Sequence, residues 1–212
     1  MPTDAPVTDA ARLILASSSR YRVELLARLR LAFVVEAPSV DETAHAREAP
    51  AALALRLAVA KASAVSARHP AALVIGSDQV ATLDGTSAIG KPGDRAGARA
   101  QLRAASGRTM HFHTAVCAMR GHDGYAESAV VPARVRFRRL DEAEIERYLD
   151  LDQPWDCAGS AKVEGLGIAL IEAVETDDPT ALVGLPLIAL AGMLRRAGLS
   201  PLDGSMRASG QT

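Results

Sequence analysis

Short apolar runs broken by polar loops alternate with stretches of helical period through the first half of the chain, and two long stretches of period two follow. Helices interleaved with strands, then a hairpin, fit a mixed α/β sheet in two lobes with a cleft between them. Leu13 to Ala16 reads as a buried strand, residues 17–19 as a loop of three serines, and Val23, Leu25, Leu26 and Leu29 as one face of a helix. Leu31 to Val35 predicts a second strand, residues 39–43 a loop, and the Ala/Leu stretch from Pro50 to about Arg68 a long helix. Leu73 to Ile75 reads as a buried strand that ends at residues 76–79, which puts Asp78 at a carboxyl strand end. Asp94 is the expected cap of a helix to about Ala105, with Gly107 closing it. Thr109 to Arg120 and Ala126 to Phe137 are the expected hairpin strands, turning through residues 121–124. A helix over Leu140 to Leu149, a strand over Ile168 to Val174 and a helix over Pro186 to Ala197 complete the reading. Residues 1–11 read as a mobile extension, 12–198 as one folded domain and 199–212 as a mobile tail.

Composition narrows the function class. Of 212 residues 49% are apolar and 23% charged, values of a chain that buries a core, while aromatics at 3% argue against an all-β sandwich. The net charge of −1 provides no field to attract a nucleic-acid polymer or an anionic bilayer. The charge-free run from Ala181 to Leu194 contains Pro186 and falls short of the roughly 20 residues that span a membrane. The acidic start is no secretory signal, and Cys117 and Cys157 show no ligand spacing, so a reducing cytoplasm is expected.

Several residues could carry chemistry. Ser17 to Arg22, at a strand-to-helix handover, brings hydroxyls, free backbone N–H groups and two guanidinium groups to a positive helix end, which suits a phosphate chain; a serine cap with surface arginines reads as well. A carboxylate at Asp78 can hold a metal or activate water, and Glu42 supplies a second; a turn-capping aspartate and a solvated glutamate are the plainer alternatives. Lys61 lies among small and apolar neighbours, where a lysine needs a partner, an anionic ligand or a route to solvent. Lys91, between Gly90 and Pro92, offers a point charge beside a backbone that allows close approach, or is an ordinary turn lysine. GTSAIGK at residues 85–91 has P-loop spacing, yet Pro92 replaces the hydroxyl that would hold magnesium, so a Walker-type NTPase is rejected.

Together LILASSS (13–19) with Arg22, VDET (40–43), LRLA (55–58) with Lys61, IGSDQ (75–79) and GKP (90–92) resemble the motifs of the Maf family of nucleoside triphosphate pyrophosphatases. The resemblance extends to AGSAKVEGLG (158–167) and VGLP (183–186), and so covers about residues 12–198. It implies an elongated central mixed sheet with flanking helices and two lobes around a cleft, as in inosine triphosphate pyrophosphatases, and a homodimer. It also implies hydrolysis between the α- and β-phosphates of a nucleoside triphosphate, with a divalent cation (Mg, Mn or Co) held by Asp78 and Glu42. In that reading Asp78 accepts the proton of the attacking water, Lys61 and Lys91 offset phosphate charge, and Ser17 and Arg22 bind the phosphates. Tyr21, Gln79 and Glu164 match the positions that choose the base, and the 158–167 loop resembles the 7-methyl-GTP subgroup, the dTTP/UTP subgroup having glutamine where Glu164 stands. Tyr21 replaces a tryptophan common in that subgroup, and Met110-His111 replaces a Thr-His pair. The alternatives are a dTTP/UTP pyrophosphatase and a non-catalytic nucleotide-binding regulator of cell division.

Overall fold

The computed structural model describes residues 13–202; the expected N-terminal extension and residues 203–212 of the expected tail lie outside the described residues. In chain order the elements are β1 (Leu13–Ala16), α1 (Arg20–Ala27), β2 (Val34–Val35), α2 (Pro50–Ser66), β3 (Leu73–Thr82), α3 (Arg95–Ala105), β4 (Thr109–Arg120), β5 (Tyr125–Phe137), α4 (Glu142–Asp152), β6 (Ile171–Thr176) and α5 (Leu187–Arg196). They build one six-stranded sheet in the order β2-β1-β3-β4-β5-β6. The β2-β1-β3 portion is parallel and the remainder antiparallel, so the mixed α/β class is observed. No helix among the described residues is long and apolar enough to cross a membrane.

Three apolar clusters sort the helices onto the sheet. Leu25 and Leu26 of α1 and Leu190 and Leu194 of α5 cover one face around Leu13, Leu15 and Ile75. On the opposite face Leu53, Leu57, Ala58 and Ala62 of α2 pack on Ile14, Val74 and Val80. Leu102 of α3 and Ile145 and Leu149 of α4 gather with Met110, Phe112 and Phe137 at the far ends of the long strands. The first two clusters make one lobe and the third makes the other, with β3, β4 and β5 running through both.

What positions the site is a mismatch in strand length. β1 pairs with β3 only as far as Ala16 against Gly76, whereas β3 continues to Thr82. Past Gly76 that edge of β3 is met, among the described residues, only by the single bridge from Ala81 to Ile89, which leaves a notch in the sheet between the lobes.

Local chemistry explains most element ends. Asp94 accepts from Gly97 N at 2.8 Å at the start of α3, and Gly107 follows its end with φ of 66°. A capping box between Asp141 and Glu144 opens α4, which therefore begins later than Leu140 and runs on to Asp152. The strand expected over Leu31 to Val35 shrinks to two residues, because Leu31 turns into the core beside α1 instead of lying along β1. Ile168 to Leu170 belong to a 3₁₀ turn, and β6 starts at Ile171. The largest correction is β3, which does not stop before Asp78: a buried apolar and small-residue register carries the strand through it. Leu199, placed in the expected tail, packs against the α1/α5 cluster.

Alanine matters where α2 crosses β3. A Cβ at Gly76 would lie 2.2 Å from the Ala58 carbonyl oxygen and 2.6 Å from the Ala62 nitrogen, so only glycine opposite a small-residue helix face allows this approach. Gly76→Ala is expected to cost roughly 1–3 kcal/mol of unfolding free energy, the scale of an overpacked core, because the obstructing atoms are helix backbone. Chemical denaturation checks this, and an unchanged midpoint would show that α2 can back away freely.

Candidate active site

Lys61 is the centre of the site. It projects from α2 where the helix lies closest to β3, and only 5% of its surface is exposed. Its Nζ donates to Asp78 Oδ1 at 2.6 Å and pairs with Glu42 Oε1 at 2.7 Å. An ammonium so enclosed requires an anion, and here two carboxylates from different segments supply it. Strand alternation aims Asp78, with Gly76 and Val80, at α2. Glu42 comes from the loop before α2 and stays exposed, so one side of the trio opens to solvent.

The serine loop joins from the end of β1. Ser17 is buried, and its Oγ accepts from Ser19 N at 3.1 Å and from Arg22 Nη1 at 3.4 Å. No side chain caps α1, so the alternative reading of a serine cap does not hold and the first amides of the helix are left for an anion. Arg22 is half-buried and donates through Nε to the Gly184 carbonyl at 2.9 Å. Burial is the main influence on its guanidinium and lowers its pKa, while the charges of Asp78 and then Glu42 act in the opposite sense. Ser17, Arg22, Lys61, Asp78 and Glu42 thus converge at the notch.

The base-choosing candidates lie elsewhere, on both sides of the notch. The Tyr21 hydroxyl donates to Asp156 Oδ2 at 3.2 Å and accepts from Arg20 at 2.8 Å, with the Arg20 guanidinium 4.7 Å above the ring. Glu164 is exposed on the loop after α4; partial desolvation raises its carboxyl pKa, Lys162 counters, and Asp152 and Asp156 add to the rise. Lys162 is tied down by the carbonyls of Asp152 and Gln153 and pairs with Asp156 at 3.6 Å.

Two sequence-predicted residues are not gathered with these. Gln79 points to the face of β3 opposite Asp78, and its Nε2 donates to Thr114 Oγ1, Ala181 O and Leu182 O at 2.9, 2.9 and 3.1 Å. It touches neither Tyr21 nor Glu164, because a strand sends adjacent residues to opposite faces. Lys91 is exposed on the β3–α3 loop, with no side-chain hydrogen bond or ion pair among the described residues. Asp156, Ser77 and the Gly184 carbonyl escaped sequence reasoning: the first follows no motif, and the last is backbone. The two cysteines are no nucleophiles, since burial pushes Cys117 up to about 11 and Cys157 up to about 12.

No cluster of three or more His, Cys, Asp or Glu side chains forms a metal cage among the described residues. The donor set nevertheless suits a hard divalent cation completed by phosphate oxygens: Glu42 and Asp78 aim carboxylate oxygens at one cationic point. Cationic groups and helix amides on one side, with two carboxylates beside them, equip the notch to hold a phosphate chain and to take a proton from water.

The family profile described as Maf-like protein matches residues 12–197. The chain belongs to the Maf family. Within that family it is 60% identical to a protein of Cupriavidus metallidurans over 186 residues, 88% of this chain and 93% of the relative. It is also 60% identical to one of Bordetella avium over 191 residues, covering 90% and 95% of the two chains. A Burkholderia pseudomallei protein is 59% identical over 197 residues, covering 92% and 91%. All three are named 7-methyl-GTP pyrophosphatase.

Lys61→Met should separate packing from charge in this Maf protein. Methionine fills the space but leaves Asp78 in the cleft without its ammonium, so a loss of up to about 3 kcal/mol is expected near neutral pH. Chemical denaturation of both proteins checks this, and equal stability would mean the trio is loosely solvated.

Proposed function

We propose that this protein is a nucleoside triphosphate pyrophosphatase that hydrolyses 7-methyl-GTP to 7-methyl-GMP and pyrophosphate with a divalent cation, Mg, Mn or Co. The observation that carries the reading is the Lys61 ammonium between Asp78 and Glu42, beside Arg22 and the uncapped start of α1. A cation held by Glu42, Asp78 and phosphate oxygens would neutralise the substrate and acidify water.

The chain's own residues do the rest. Asp78 gives one oxygen to Lys61 and takes the proton of the attacking water on the other. Arg22, Lys61 and, from its exposed loop, Lys91 offset the charge that moves onto the departing pyrophosphate. Ser17 and the α1 amides hold phosphate oxygens. In this reading the substrate is a free nucleotide rather than a nucleic-acid polymer or a membrane lipid, and the protein works in the cytoplasm as a homodimer.

Base preference rests on Glu164 and Tyr21. Guanine presents N1–H and N2–H₂ as adjacent donors, and one carboxylate accepts both. Methylation at N7 makes the ring cationic, which favours stacking on the Tyr21 face not covered by Arg20 and attraction to Glu164. Thymine and uracil offer a single N–H between two carbonyls and meet lone-pair repulsion at a carboxylate. The names of the relatives agree with this preference. Gln79, committed to the opposite face, enters this reading only by supporting the Ala181–Gly184 turn.

Pyrophosphate release from 7-methyl-GTP, GTP, dTTP and UTP at equal low concentration tests the reading. The wild type should prefer 7-methyl-GTP and stop in EDTA, and Glu164→Gln should erode its preference over dTTP and UTP by roughly 1–3 kcal/mol. Faster turnover of dTTP or UTP would move the protein to the other subgroup. Tight nucleotide binding without pyrophosphate release would favour the regulator.

A further inference from the structure

Arg22 differs from the other arginines near it in having a neutral anchor. Its Nε–H is received by the Gly184 carbonyl, and among the described residues no carboxylate lies within ion-pair distance of its guanidinium. A carbonyl fixes direction without consuming charge, so the orientation of Arg22 depends chiefly on the position of Gly184 O, its shorter contact, with the Ser17 hydroxyl 3.4 Å from Nη1 as the second.

That oxygen sits on a turn held together by one buried carboxylate. Asp178 is 2% exposed; its Oδ1 accepts from Thr180 N at 3.0 Å and Thr180 Oγ1 at 2.6 Å, and its Oδ2 accepts from Ile188 N at 2.7 Å. The Thr180 hydroxyl then accepts from Leu187 N at 2.8 Å. Pro186, at the cap position of α5, has no side-chain acceptor, so the helix start is capped by residues well before it in the chain. Between these anchors the chain makes a 3₁₀ turn over Ala181–Val183 and reverses at Gly184 with φ of 115°. Its carbonyls face the sheet: Thr114 and Gln79 donate to Ala181 O, Gln79 to Leu182 O, and Ser77 Oγ donates to Gly184 O at 2.9 Å beside Arg22.

We infer that Asp178 and Thr180 are positioning residues for Arg22, acting through Gly184 to hold a full guanidinium charge ready for the phosphate chain. The inference rests on the pyrophosphatase reading for what Arg22 binds, and on geometry alone for what holds Arg22.

Thr180→Val keeps volume and removes the hydroxyl, and Thr180→Ser restores it. In 7-methyl-GTP turnover, Thr180→Val should lower kcat/KM roughly tenfold, Thr180→Ser should stay within about twofold of wild type, and Thr180→Val in an Arg22→Ala background should cost less than about twofold more. An equal loss in both backgrounds would assign Thr180 a merely structural role and overturn the inference. A second readout needs no activity: the Arg22 Nε–H signal in a proton–nitrogen NMR spectrum should exchange slowly with solvent in the wild type and in Thr180→Ser, and fast in Thr180→Val. Slow exchange in Thr180→Val overturns the inference even if the protein releases no pyrophosphate, an outcome that would sink the enzymatic reading separately. Asp178→Asn should act in the same direction, with Thr180→Val deciding if that variant does not fold.

Discussion

An ammonium can be buried in an alanine-lined setting only if anions meet it there, and this requirement ties the helix α2 to the chemistry of the notch. Gly76 lets α2 lie against β3 with backbone nearly touching backbone, and that closeness brings Lys61 to Asp78. Because Asp78 stands within a strand and not on a loop, its carboxylate is held by the ladder to β4 on one side and by the lysine above it. Glu42 closes the pair from a loop that stays open to solvent. A buried carboxylate and an exposed one thus meet around a single cation, one side of which faces solvent.

The two lobes divide the labour that follows. The groups proposed to face the phosphates come from the lobe of α1 and α2, near the point where β1 ends and β3 goes on. Glu164, Lys162 and Asp156 belong to the segment after α4, and the Tyr21–Asp156 hydrogen bond joins that segment to the start of α1. In the proposed reading charge recognition is therefore deep and base recognition peripheral, so substitutions at the rim should alter which base is accepted while leaving the phosphate site intact.

Much of this was legible in the residues, for identifiable reasons. The hairpin of β4 and β5 shows as period-two alternation around a glycine turn, and α3 shows through Asp94 and Gly107, since these signals are local. The short β2 and the 3₁₀ start of β6 were not legible, because whether Leu31 lies along β1 or turns into the core is decided by tertiary packing. The extension of β3 through Asp78 was hidden by its polar letters, Ser77, Asp78 and Gln79, which read as a loop until partners on both faces are known. Ser17, Arg22, Lys61, Asp78 and Glu42 share one place as their motifs suggest, whereas Gln79 sits on the far face for a reason that strand parity supplies only once the strand is recognised. The Gly184 carbonyl had no signal at all: a backbone oxygen acquires a role only from the turn that aims it.

If the notch is the active site, water attacks the α-phosphorus beside Asp78. Hydrolysis of 7-methyl-GTP in ¹⁸O-labelled water, followed by mass analysis of both products, tests that directly. The label should appear in 7-methyl-GMP and be absent from pyrophosphate. Label in pyrophosphate, or orthophosphate as the first product, would place the attack at another phosphorus and contradict the assignment of the notch.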